Sequence, residues 1–217
     1  RECILSFPGV PRNEGIAERF DGKGIAGIHF DDTVHGARSI TLDLSGMPYA
    51  VSGRTFFQAN WEMNLRLLER VRELVREGGE RLLDLYAGAG NFALPLSALV
   101  REVVAVEGSP DAARDLRGNV ERNGIGNCRM EEIPVERYRP SGRFDTVLVD
   151  PPRTGLTDKA AKLVLGLAPG LLLYVSCDPP TLARDLRKLS ARFAIRSVEP
   201  FDFFPNTHHV RSEEHTS

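Results

Sequence analysis

Cysteine is scarce in this chain: Cys3, Cys128 and Cys177 are its only three in 217 residues. Three thiols cannot build a disulfide framework, and their spacing matches neither a zinc nor an iron–sulfur site, so no metal is expected. A reducing, cytoplasmic setting fits such a composition. No apolar run is long enough to cross a bilayer and the opening residues do not read as a secretory signal, so no membrane partner is expected. A basic excess is missing too. The net charge of −2 argues against a strongly basic surface over the whole domain. Any enzyme of nucleic acids with this balance needs a local basic patch or a separate binding module. What is present is ordinary for a globular chain: 41% hydrophobic and 27% charged residues, enough for one sizeable domain with a small appendage, expected as a monomer.

Two patterns divide the chain. Residues 1–56 carry glycines and short apolar runs, with Ile25–Phe30, Ser39–Leu44 and Tyr49–Ser52 reading as strands between turn residues such as Asp31-Asp32 and Ser45-Gly46. This is a partial β-rich piece. Residues 57–210 alternate helix and strand. Trp61–Arg76 has Leu65, Leu68, Val71, Leu74 and Val75 at helical spacing and stops at Gly78-Gly79. Strands follow at Arg81–Tyr86, Glu102–Val106, Cys128–Ile133, Asp145–Val149, Leu171–Val175 and Phe193–Glu199. Helices at Asn91–Leu99, Pro110–Asn123, Asp158–Leu167 and Pro179–Ser190 separate them. The runs at 145–149 and 171–175 are almost wholly apolar, as in strands covered on both faces. The alternation predicts an α/β fold with a parallel, doubly wound sheet, whose ligands bind at the carboxyl ends of the strands.

Chemistry-bearing residues cluster at those ends. The first strand of the series runs Leu83-Asp84-Leu85-Tyr86-Ala87-Gly88-Ala89-Gly90-Asn91, where small residues permit a tight turn and close approach to a ligand. The second ends at Glu107, placed to accept ribose hydroxyls. The pair indicates a nucleoside cofactor. The loop lacks the third glycine of the dinucleotide pattern. The fourth strand ends in Asp150-Pro151-Pro152-Arg153, a rigid turn with no use for a pyrophosphate but able to wall a pocket for a planar substrate. Both points favour S-adenosylmethionine over a nicotinamide cofactor. The fifth strand leads into Ser176-Cys177-Asp178-Pro179-Pro180-Thr181, with Asp178 as a helix N-cap and Pro179 as the first helical residue. A thiol there faces the positive end of the helix dipole, which favours thiolate, while the neighbouring Asp178 carboxylate opposes it. A lone cysteine after an apolar strand is more commonly a small core residue. Cys177 differs from Cys3 and Cys128 in sharing a sheet edge with Gly88, Glu107 and Asp150.

These residues resemble the RNA uracil-5-methyltransferase family, the bacterial 23S rRNA and tRNA 5-methyluridine enzymes. The resemblance runs from Phe56-Phe57-Gln58-Ala59-Asn60 through Asp84–Phe92, Asp150–Gly155 and Tyr174–Asp185 to Phe204-Pro205-Asn206-Thr207-His208-His209-Val210. It implies a Rossmann-like class I S-adenosylmethionine-dependent methyltransferase sheet acting on RNA. The implied substrate is 23S rRNA first, with tRNA as the alternative. Gln58, Tyr86, Gly88, Asn91, Glu107 and Asp150 would hold the cofactor, and Cys177 would add to uracil C6. Taken singly, Gln58 also fits a polar helix-entry residue and Tyr86 a core aromatic. Arg153 and Arg184 fit either phosphate contacts or loop-holding ion pairs.

One position departs from the family. Its general base, a Glu directly after the last His-Val, is replaced by Arg211, which cannot give up its proton at working pH. Residues 211–217 read as a non-native tail resembling a translated sequencing-adapter fragment. With no initiator Met at Arg1, the chain is expected to be cut at both ends, to lack a final strand and to expose a long apolar edge. Weak cofactor binding and poor turnover would follow. The competing readings are methylation of another base by the same fold, a non-catalytic RNA- or cofactor-binding module, and, least, a dehydrogenase.

Overall fold

The computed structural model describes residues 3–7, 25–30, 34–203 and 211–216. The Asp31-Asp32 turn and the motif from Phe204 to Val210 lie outside the described residues. Near the N-terminus, β1 (Cys3–Phe7) pairs parallel with β2 (Ile25–Phe30), which pairs antiparallel with β3 (Val34–Gly36). A two-stranded hairpin follows, β4 (Ser39–Leu44) with β5 (Met47–Ser52). Its two-residue turn has both central residues left-handed, Ser45 at φ 56° and Gly46 at φ 87°, and the Asp43 side chain accepts the Gly46 amide at 2.7 Å. That backbone matches the natural twist of paired strands, which is why a Ser-Gly pair sits here.

The remaining elements build one seven-stranded sheet. In chain order they are α1 (Trp61–Val75), β6 (Arg81–Leu85), α2 (Ala93–Leu96), β7 (Glu102–Glu107), α3 (Pro110–Arg122), β8 (Cys128–Glu132), a 3-10 turn (Val135–Arg137), β9 (Thr146–Val149), α4 (Asp158–Leu167), β10 (Leu171–Ser176), α5 (Pro179–Leu189), β11 (Ile195–Phe201) and β12 (Arg211–Thr216). The order across the sheet is β11-β12-β10-β9-β6-β7-β8. All ladders are parallel except those of β12, which runs antiparallel between β10 and β11.

Alternation along the strands divides the core into two layers. Leu82, Val103, Ala105, Leu148, Leu173 and Val175 face α1, α2 and α3. Leu83, Leu85, Val104, Val106, Val147, Val149 and Leu172 face α4 and α5. Both faces are buried, as the near-continuous apolar runs predict. Each Leu or Val side chain among them contributes about 1.5–3 kcal/mol on burial. The helices carry the expected start signals: Asn60 caps α1, Ser109 caps α3 ahead of Pro110, Thr157 caps α4, and Asp178 caps α5 ahead of Pro179.

Several expectations shift. The helix expected over Asn91–Leu99 is only Ala93–Leu96, four buried residues without a side-chain cap. Asn91 is drawn away to Asn64, and Ser97 turns its hydroxyl back onto the Leu94 carbonyl at 2.6 Å. The buried stripe of α1 centres on Asn64, Leu67, Leu68, Val71 and Val75, leaving Leu65 and Leu74 at its margins. The expected open edge of β10 is covered, because Arg211–Thr216 pairs from Leu172↔Thr216 to Ser176↔Ser212. Parallel succession alone does not reveal this, since β12 is polar in sequence and joins through backbone bonds.

The hairpin is part of the core: Leu44, Tyr49 and Val51 pack in the same cluster as α1 and α3. Fully buried Asn119 of α3 uses its whole amide for the join. Its Oδ1 accepts from the Ala50 amide at 2.8 Å and from Arg122, and its Nδ2 donates to the carbonyls of Ala50 at 2.9 Å and Ala89 at 3.1 Å. Asp115 adds bonds from the Ser52 amide and hydroxyl. Asn119→Ala orphans these backbone groups and is expected to lower stability by about 2–4 kcal/mol in urea unfolding. An unchanged midpoint would mean that the hairpin is not held this way. No helix among the described residues is long and apolar enough to cross a membrane, and no group of metal-ligating side chains occurs among them.

Candidate functional site

The register brings the strand ends together. Leu85 lies level with Val106 on one side and Val149 on the other, and Val149 lies level with Tyr174. The residues just beyond, Tyr86, Glu107, Asp150 and Cys177, therefore emerge along one rim. A cavity of about 680 Å³ opens there, a size suited to a nucleoside-sized ligand with room beside it. Its lining includes Gln58, Tyr86, Gly88 and Asn91 with Glu107, Asp150 and Cys177, so the seven cofactor and nucleophile candidates read from the sequence border one cavity.

The loop after β6 is shaped by backbone strain and by Glu107. Tyr86 has φ 65°, a left-handed conformation uncommon for a bulky residue, and Gly88 and Gly90 follow at φ 57° and 97°. Glu107 fixes the turn: Oε2 accepts the Gly88 amide at 2.8 Å and Oε1 the Ser109 amide at 2.6 Å. A Cβ built on Gly90 would strike Leu94 and Leu116, whereas one on Gly88 meets nothing within 4 Å. Gly90 thus closes the loop onto the core, and Gly88 leaves its backbone open to a ligand. The Tyr86 phenol is pushed above its ordinary range, first by burial and then by the negative charges of Glu136 and Asp185, so it stays a proton donor at neutral pH.

Asn91 lines the cavity, but its amide is already paired. Asn64 and Asn91 exchange two hydrogen bonds, at 2.7 and 3.0 Å, which tie α1 to the loop. Its side chain thus serves first to hold the loop. Gln58 is 8% exposed, on the segment between β5 and α1. Phe56, two residues earlier, is 79% exposed at the cavity mouth. Cys177 is half-buried, just before the N-cap of α5. Cys128 lies against the core, its thiol pushed up to about 12 by burial and then by Asp84, so it is inert. Cys3 lies in β1. Arg184 holds a loop: its Nη2 donates to the Thr154 carbonyl at 2.7 Å and its guanidinium pairs with Asp185. Arg153 is exposed on the cavity lining.

Beneath the loop, Asp84 is fully buried and neither carboxyl oxygen has a well-formed hydrogen bond. Burial first, then the negative charge of Asp150 and more weakly Glu107, holds its carboxyl well above the usual range, partly offset by the Ala93 amide nearby. A raised folded value means that the native state keeps a proton the unfolded chain releases. Stability from this group is complete below about pH 4 and is lost as pH rises toward the folded value. Asp84→Asn keeps the neutral form throughout, so its Tm advantage over wild type, measured without cofactor, is expected to grow from about pH 5 to about pH 8. A constant difference would contradict a protonated Asp84.

Comparison with known proteins agrees with this geometry. The family model for tRNA (uracil-5-)-methyltransferases matches residues 31–139 and 128–214. A Thermotoga maritima protein named as an uncharacterised RNA methyltransferase is 36% identical over 216 residues, 98% of this chain and 49% of the relative. A Bacillus cereus protein of the same description is 32% identical over 211 residues, 94% of this chain and 46% of its own length. The chain thus spans about half the length of these curated relatives. Among solved structures, the Pyrococcus abyssi tRNA (uracil-54, C5)-methyltransferase in complex with S-adenosyl-L-homocysteine superposes with a TM-score of 0.82 at 29% identity, covering 99% of this chain and 56% of that one. Trm5b from the same organism shares the fold alone, at a TM-score of 0.67 and 13% identity over 98% of this chain and 72% of that one. On the sequence match, the sheet order and the loops at its carboxyl edge, the chain belongs to the tRNA (uracil-5-)-methyltransferase family.

Proposed function

We propose that this chain carries out S-adenosylmethionine-dependent methylation of uracil C5 in RNA through a covalent bond from Cys177. The observation that carries this reading is a single cavity lined by a half-buried thiol and by a nucleoside-type loop anchored on an acidic strand end. S-adenosylmethionine fits the residues present: Gly88 leaves backbone open to it, Glu107 offers ribose acceptors, and Gln58, Tyr86 and Asp150 surround the remaining space. When bound, this cofactor supplies an electrophilic methyl group, which C5 takes up.

The chain's own residues prepare C5 for that step. Uracil C5 is a poor nucleophile. Addition of the Cys177 thiolate forms the S–C6 bond and moves the C5=C6 pair into an enolate, nucleophilic at C5. Pro151 and Pro152 wall the cavity beside the thiol and orient the planar ring, so that the reacting atoms approach in line. Phe56 at the mouth offers a stacking face for a base splayed from its helix. After methylation the C5 proton passes to a base, the S–C6 bond breaks and C5=C6 returns. Arg211, at the place of the family's Glu, cannot take that proton, so this release is the slow step.

The test uses tRNA and 23S rRNA transcripts containing 5-fluorouridine, whose fluorine cannot leave as a proton. With S-adenosylmethionine, a covalent RNA–protein band mapping to Cys177 is expected with one transcript class, which also identifies the substrate. Cofactor-dependent methylation of either RNA without any such band would overturn the covalent reading.

A further inference from the structure

Asp185 lies on α5, on the face turned toward the sheet, and is fully buried. One carboxylate oxygen accepts the Leu156 amide at 2.7 Å and the Tyr174 hydroxyl at 2.8 Å. The other accepts Arg184 Nε at 3.0 Å and Nη2 at 2.8 Å. The same Nη2 donates to the Thr154 carbonyl. Between those two loop residues stands Gly155, at φ 72°, where a Cβ would lie 2.3 Å from Asp185 Oδ2 and 2.6 Å from Arg184 Nη2. Only a glycine admits the carboxylate so close to the loop. The loop is closed on itself by the Gly155 amide, which donates to the Pro152 carbonyl at 2.7 Å.

The three segments joined here frame the cavity. Leu156, Gly155 and Thr154 continue the loop that bears Asp150, Pro151, Pro152 and Arg153. Tyr174 belongs to β10, which delivers Cys177 at its end, and Asp185 belongs to the helix that starts just after Cys177. A buried carboxylate with four donors from three segments has far more engagement than packing requires, and its removal leaves each donor unsatisfied. None of these donors lines the cavity.

We propose that Asp185 is a positioning residue: its carboxylate locks the Pro152–Leu156 segment to the β10–α5 turn and so sets the distance between the proline wall and the Cys177 thiol, while the Asp150 amide is held separately by the Leu85 carbonyl at 3.3 Å. This rests on the reading of Cys177 as nucleophile. The constraint acts on the base-binding side of the cavity. The cofactor loop is held separately, by Glu107 and the Asn64–Asn91 pair. A loss at Asp185 therefore slows attack on the base and spares cofactor affinity, whereas a merely structural residue would lower both.

The experiment compares Asp185→Asn and Tyr174→Phe with wild type in the full 217-residue chain. Asn is isosteric but cannot balance the Arg184 charge, and Phe removes one donor while keeping the buried ring. Two quantities are read: the rate of covalent adduct formation with 5-fluorouridine RNA, and the Kd for S-adenosylhomocysteine. The expected result is an adduct rate about 100-fold lower for Asp185→Asn and about tenfold lower for Tyr174→Phe, with Kd within about twofold of wild type. Unchanged adduct rates, or parallel losses of rate and affinity, overturn the proposal. If wild type itself forms no adduct, the nucleophile reading fails. The lock is then judged by amide exchange at Leu156, which must accelerate in Asp185→Asn while β6 and β7 amides stay protected; no acceleration there rejects it.

Discussion

Cys177→Ala is expected to abolish both the RNA–protein adduct and methylation, with the rate falling at least about 10³-fold. S-adenosylhomocysteine affinity should change little, because in the proposed mechanism the thiol serves the base and the candidate cofactor loop is held from β7 and α1. The size of the effect follows from the chemistry. Without addition at C6, uracil C5 carries no enolate density, and no other group among the described cavity residues is a soft nucleophile. Cys128→Ala is the control, since that thiol packs against the core and its deletion touches no cavity residue named here. Tritium transfer from labelled S-adenosylmethionine to RNA measures the rate. Full methylation by Cys177→Ala would move the protein to direct, non-covalent chemistry, such as methylation of an amino group on another base.

Glu107→Ala is expected to weaken S-adenosylhomocysteine binding about 100-fold. A hydrogen bond to a charged group contributes about 1.5–3 kcal/mol, and each 1.4 kcal/mol is about tenfold in Kd. The carboxylate also holds the Gly88 and Ser109 amides, so its loss both removes the proposed ribose acceptor and releases the turn. Glu107→Gln separates the two roles. It keeps one acceptor oxygen but cannot receive both amides, and an intermediate loss is expected. Calorimetric titration measures both variants; wild-type affinity in Glu107→Ala would show that the nucleoside sits elsewhere in the cavity.

Much of the site was legible because its residues are punctuation. The strand series, the small-residue turn after Leu85, the acid at Glu107, the Pro-Pro turn and the cysteine before an N-cap each mark a strand end, and a parallel sheet gathers its strand ends on one side. The supporting residues were missed although they left a trace. Asn64 falls among Leu67, Leu68 and Val71 on the buried stripe of α1. Asn119 falls with Ala112 and Leu116 on that of α3, and Asp185 beside Leu182, Leu186 and Leu189 on that of α5. A polar residue at a core position of a helical stripe must find partners, so each pointed to a distant bond. Its partner, however, lies 27 to 69 residues away for the two asparagines, beyond any local pattern.

The amino-acid sequence by itself determined the layered sheet, the place of the candidate cofactor loop and the identity of the candidate nucleophile, because apolar period, caps and turn residues act over a few neighbours. Tertiary structure alone decided that β12 enters between β10 and β11, that Asn91 spends its amide on Asn64, and that Asp84 lies fully buried with its carboxyl held well above the usual range. The reason is physical. Backbone pairing does not depend on side-chain identity, so a polar strand joins a ladder unseen. The fate of a buried polar group is set by whatever the fold carries to it through space.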